Sequence, residues 1–156
     1  IWAGLPLIII YLFGRHRAVP DIYKSKRPNQ LPMEIGLMGS VLLVAAGGAI
    51  GATLRFLVGH YVDSSQFPWA TLAVNLIGAF LLALITFWYT GIPQELKLLL
   101  FTGLFGAFTT MSTFTLETVT LFYDGRFGSA LLNFCANAGL CILGAVAGRY
   151  AGLALS

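Results

Sequence analysis

Four stretches of mostly apolar residues, roughly 35–54, 70–89, 98–116 and 129–148, limit what this chain can fold into. A helix needs about 20 such residues to cross a bilayer. The remainder of the 156 residues offers no alternative, because 58% of the chain is apolar, only 10% is charged and the mean hydropathy is +0.84. A soluble domain of this size cannot bury that much apolar surface. The expectation is an all-α membrane protein. The connections, 60–68, 90–97 and 122–128, are short, so neighbouring helices must run antiparallel. Residues 35–156 therefore read as one four-helix transmembrane bundle with no second soluble domain. The 18 glycines suit close helix packing in lipid.

Residues 1–34 differ in character. Ile1 to Phe13 is apolar but too short to span upright. Arg15, Arg17, Lys24, Lys26 and Arg27 follow, among three prolines. A secretory signal has the opposite order, charges before apolar stretch. This extension reads as an interfacial apolar segment with a basic linker, the alternative being the end of an additional span. The basic linker, the second loop and the C-terminus fall on one side of the bundle. Without the linker that side carries Lys97 and Arg149, and the other carries Arg55 and Arg126. An even split gives no orientation bias. Such a bundle could insert both ways and pair head to tail, while the five linker charges could break the tie. The net charge of +3 is mostly this basic tail and does not describe a nucleic-acid surface.

Several polar residues lie inside the spans. Asn133 and Asn137 are one turn apart in the fourth, with Ser129 and Cys141 a turn to either side. Carboxamides in a membrane need a partner or a water-filled path. Asn75 in the second span is either interhelical glue or a vestibule lining, and Ala79 and Ala83 continue its face. The third span runs from Thr102 to Glu117 with Gly103 and Gly106 ahead of a dense hydroxyl run. Glycine costs about 1 kcal/mol against alanine in a helix, and Ser and Thr can satisfy backbone groups freed at a break. An interrupted helix is expected there, its carbonyls suited to a cation and its N–H groups to an anion. Beyond that break, Thr109, Thr113 and Glu117 repeat every four residues, beside an apolar face of Met111 and Phe114. An anion could rest on the positive ring edge of Phe114. Glu117, near the segment's end, is either a proton-linked carboxylate or simply hydrated there. In the first span Gly47 and Gly51 form a GxxxG pair, and Arg55 either snorkels or draws anions to a pore mouth. Cys135 and Cys141 suggest neither a disulfide nor a metal site. His16 and His60 have no companions that would make an enzyme.

Taken in order, these pieces resemble the Fluc (CrcB) family of small fluoride channels. The resemblance runs from about Leu37 to Leu155. It rests on Gly47-Gly48-x-x-Gly51-Ala52-x-x-Arg55, Thr71-Leu72-x-Val74-Asn75-x-x-Gly78, and Gly103-x-x-Gly106-x-x-Thr109-Thr110-Met111-Ser112-Thr113-Phe114. It implies an antiparallel, dual-topology homodimer in the cell membrane with two fluoride pathways. It also implies a structural sodium ion held by the backbone carbonyls of Gly106 and Thr109. The family's two pore phenylalanines fall on Met111 and Phe114. Asn75, Ser112, Thr113 and Glu117 match its polar positions, and Asn133 and Asn137 its fourth-helix ones. Met111 departs from the family's usual Phe, replacing a ring edge by a flexible thioether.

The expected function is passive export of fluoride, an ion so strongly hydrated that donors along the path must replace its water. No Lys or Arg lies in the interior of the four stretches, so weak multi-site binding can let the ion leave. The rivals are a small drug–proton antiporter, which would need a carboxylate deep in the membrane, and a membrane assembly protein without transport.

Overall fold

A computed structural model of the protein describes residues 35–156. The extension 1–34, and with it the expected interfacial segment, lies outside the described residues. Four helices are long and apolar enough to cross a membrane: α1 (Leu37–Tyr61), α2 (Trp69–Trp88), α3 (Gln94–Tyr123) and α4 (Phe127–Leu155). Helices are what lipid demands, since no water is there to satisfy open backbone groups. All four expected spans form, and the first, third and fourth run about a turn or two further than hydropathy alone marks. The protein is a multi-pass, all-α membrane protein.

The third helix is broken, as its glycines and hydroxyls foretell. Its first half, α3a, begins with one α-turn (Gln94–Lys97), widens into a π-helix (Leu98–Phe105) and closes with Gly106–Phe108. Its second half, α3b, is regular from Met111 to Tyr123. Thr109 (ψ 157°) and Thr110 (φ −150°, ψ 112°) between them are extended. The break therefore falls after Thr109. Thr109 belongs to the end of α3a, where its hydroxyl bonds the Phe105 carbonyl at 2.9 Å. It does not share a face with Thr113, because the four-residue repeat cannot cross an interruption. Thr110 takes the N-cap role instead and accepts from the Thr113 N–H.

Glycines decide which helices meet. α1 packs chiefly on α3a and α2 chiefly on α4, while the consecutive α1 and α2 barely touch. A Cβ at Gly47 would overlap the Leu99 carbonyl, and one at Gly51 the Leu104 carbonyl. Gly103 closes the same seam from α3a, where a Cβ would lie 2.8 Å from the Val44 carbonyl oxygen. The GxxxG expectation holds. A second seam went unread in the sequence: Gly144, Gly148 and Gly152 let α4 lie against the backbone of α2, with a Cβ at Gly148 overlapping the Phe80 carbonyl. Much of α1 is exposed, Leu42, Ile50 and Phe56 among it, and only Gly47 and Gly51 are buried.

Candidate functional site

Two side chains, Asn75 and Thr110, take up backbone N–H groups at the break in α3. In a continuous helix the Thr110 N–H would bond the Gly106 carbonyl, and the Thr113 N–H the Thr109 carbonyl. Here the Thr110 N–H donates to Asn75 Oδ1 at 2.7 Å. The Thr113 N–H donates to the Thr110 hydroxyl at 3.2 Å. The interruption between Phe108 and Met111 takes the usual partners from the four carbonyls of residues 106–109, and Gly106 and Thr109, which the resemblance assigns to sodium, are among them. Carbonyl oxygens are the ligand type a hard cation takes. Among the described residues no cluster of His, Cys, Asp or Glu offers another cation site.

Asn75 also starts a line of bonded amides. Its Nδ2 donates to the Thr110 carbonyl at 3.2 Å and to Asn137 Oδ1 at 3.0 Å. Asn137 Nδ2 donates in turn to Asn133, to the backbone oxygen at 3.2 Å and to Oδ1 at 3.0 Å. Asn133 Nδ2 donates to the Thr118 hydroxyl at 2.8 Å, which donates to the Phe114 carbonyl at 2.8 Å. The line ties α2, the break, α4 and α3b together. It separates two residues that sequence reasoning placed side by side. Asn137 is 6% exposed and lines a groove, whereas Asn133 is 0% exposed and reaches no surface.

The groove has a volume of about 620 Å³. Its floor is the break (Gly106, Thr109, Thr110), and Asn75 and Asn137 stand beside it. Phe101, Phe105 and Phe114 give it apolar walls. Met111 and Phe114 both line it but differ in setting. Phe114 is 6% exposed and its ring centroid lies 6.4 Å from that of Phe134, while Met111 is 72% exposed. Ser112 and Thr113 are exposed on α3b just past the break. The Thr110 hydroxyl donates to Thr113 Oγ1 at 2.9 Å and lies 3.3 Å from Ser112 Oγ. The Thr113 hydroxyl proton remains available to a ligand, since that bond uses Thr113 only as acceptor.

One turn beyond Thr113, Glu117 is half-buried and accepts from the Thr71 hydroxyl at 2.8 Å through Oε1. Its other oxygen is buried without a hydrogen-bond partner. Thr71 heads one of the motifs, but nothing local marks Glu117 as its partner, which lies 46 residues away. Arg55 is half-buried on α1, four residues past Gly51 and so on the face that meets the break: a Cβ at Gly51 would lie 3.0 Å from the Phe108 N.

A four-span bundle with a discontinuous helix, carbonyls on one side of its break and a capped helix N-terminus on the other, has the architecture of a membrane ion-transport protein. The comparison with known families narrows this. The profile of the CrcB-like protein, Camphor Resistance (CrcB) family matches residues 42–149, and the chain belongs to that family. Among its relatives is the fluoride-specific ion channel FluC of Geobacter sulfurreducens, 47% identical over 117 residues, which are 71% of this chain and 94% of that protein. The Magnetococcus marinus protein of the same name is 44% identical over 70% of this chain and 94% of its own length. The Agrobacterium fabrum one is 40% identical over 76% and 96%.

Proposed function

We propose that this chain is a passive fluoride channel that lets fluoride leave the cell, built as an antiparallel homodimer with two ion paths and a structural sodium ion. The observation that carries the reading is the diversion of the Thr110 and Thr113 N–H groups, which makes one break serve two ions of opposite sign. Gly106 and Thr109 would hold the sodium through their carbonyls, where it supplies fixed positive potential. α3b begins immediately beyond, and its N-terminal end favours an anion.

The fluoride path runs along the exposed side of α3b. Ser112 and Thr113 offer rotatable hydroxyl donors, and Phe114 presents its ring in the groove. Asn137 and Asn75 stand opposite. The Asn75 amide already donates to Asn137 and to the break, and the Asn137 amide to Asn133, so an ion passing them exchanges with the Asn75–Asn137 bond. Asn133 acts through Asn137, as a positioning residue. Met111 cannot offer a ring edge, and the amides and hydroxyls carry that part of the desolvation. Thr71 and Glu117 mark the far end of the path, and Arg55 draws anions towards the break. The exposed Met111 and the apolar walls of the groove fit a surface covered by a second copy.

Purified protein in liposomes should release fluoride but not chloride, read with ion-selective electrodes. A folded protein that releases no fluoride overturns the proposal. Replacing sodium by N-methylglucamine should lower the melting temperature of the purified protein. Crosslinking between opposite-facing protomers tests the dimer.

A further inference from the structure

A second pocket, of about 350 Å³, lies between the α1–α2 loop and the α3b–α4 loop. Ser64 and Gln66 of the first loop, Glu117 and Thr120 of α3b, and Asp124 and Arg126 of the last loop line it together with apolar neighbours. Glu117 is shared with the polar side of α3b, so this pocket is the outward continuation of the path.

Arg126 is the one Lys or Arg among the described residues of this lining. Its position is fixed from both ends. The backbone turns at Gly125 (φ 74°), and the Arg126 N–H donates to the Leu121 carbonyl at 2.9 Å. The guanidinium then reaches across the pocket and donates from Nη2 to the Gln66 carbonyl. The side chain is half-buried. The first loop is itself held in shape, since Ser64 Oγ accepts from the Ala70 N–H at 3.0 Å and Asp63 Oδ1 from the Ser65 N–H at 2.9 Å. Two carboxylates, Glu117 and Asp124, face the same space. Without a cation, the pocket would be a negatively charged mouth on an anion path.

We infer that Arg126 is the positioning residue of this mouth, offsetting Glu117 and Asp124 so that a small anion can occupy it. The inference rests on the channel reading above. A guanidinium suits this place because one arm is spent on the Gln66 carbonyl while its charge, which no accessible pH removes, stays in the pocket. Fields of this kind, focused by low-dielectric walls, change local ion concentration by tenfold or more and fade with salt.

The test is fluoride efflux from liposomes as a function of fluoride concentration and of inert salt, for the wild type, R126K, R126Q and the R126Q/D124N double variant. R126Q should lose roughly tenfold in flux at low fluoride and regain the wild-type rate at saturation. R126K should stay close to the wild type, and D124N should restore part of the R126Q loss by removing one of the two opposing charges. The R126Q flux at low fluoride should rise as salt screens the two carboxylates, and the wild-type flux should change less. A conducting wild type with an unaltered R126Q overturns this inference alone. So does a loss in R126Q that is equal at all fluoride concentrations and unrelieved by D124N, since that describes a loop tie and nothing electrostatic. A folded wild type that passes no fluoride overturns the channel reading and this inference with it.

Discussion

Replacing Asn75 by leucine removes one of the two side chains that take up backbone N–H groups at the break in α3. Leucine has a similar volume and no polar atom, so the change is mainly one of hydrogen bonding. Three bonds disappear: the Thr110 N–H at 2.7 Å, the Thr110 carbonyl at 3.2 Å and Asn137 Oδ1 at 3.0 Å. An orphaned buried group costs about 1–3 kcal/mol, and the Asn137 oxygen and the Thr110 N–H would both be left so. Asn75 is half-buried, which points to the low end, about 2 kcal/mol in all. The Thr110 N–H has one nearby remedy, the Gly106 carbonyl four residues back. Taking it would begin to mend the helix and withdraw a carbonyl proposed to hold sodium. N75L should therefore melt lower than the wild type, lose much of its stabilisation by sodium, and conduct fluoride at least tenfold more slowly. Thermal unfolding in detergent with sodium or N-methylglucamine, alongside liposome efflux, reads all three. A folded N75L with wild-type flux and an undiminished sodium effect refutes the account of the break.

Three further outcomes are expected. G51A should destabilise the protein by about 1–3 kcal/mol through overpacking, because its methyl group meets the Leu104 carbonyl, whereas G48A, with open space around it, should be silent in the same melting assay. N137L should cut fluoride flux with its oligomeric state unchanged, and N133L, at a site 0% exposed, should lower the melting temperature first; the reverse order would remove Asn137 from the path. Changing Arg15, Arg17, Lys24, Lys26 and Arg27 to glutamine leaves Lys97 and Arg149 against Arg55 and Arg126, and since an antiparallel dimer needs both orientations, C-terminal reporter fusions should show parent and variant alike inserting both ways.

Much of the candidate site was legible early because its residues are chemically out of place. Asn75, Asn133 and Asn137 stand out against apolar neighbours, and glycines followed by hydroxyls announce a break. Other parts were not legible. Thr71 and Glu117 are 46 residues apart, and nothing local marks either as the other's partner. The π-helix of α3a, Leu98–Phe105, looks like any apolar run. The Gly144, Gly148 and Gly152 stripe was present in the sequence at four-residue spacing, but only its closeness to the α2 backbone gives it meaning.

The sequence by itself determined that four helices cross a membrane, since apolar length and the need to satisfy backbone groups in lipid leave no other choice. It also determined that the third would be interrupted. The tertiary structure decided where the interruption falls and what it exposes. That depends on a side chain from α2 competing with the helix for the Thr110 N–H, a contest between groups 35 residues apart. It also decided that Asn137 meets the groove while Asn133, one turn away on the same helix, is sealed inside. Helical spacing gives two residues a common face, but only the packing of α3b against α4 determines which of them that face leaves open.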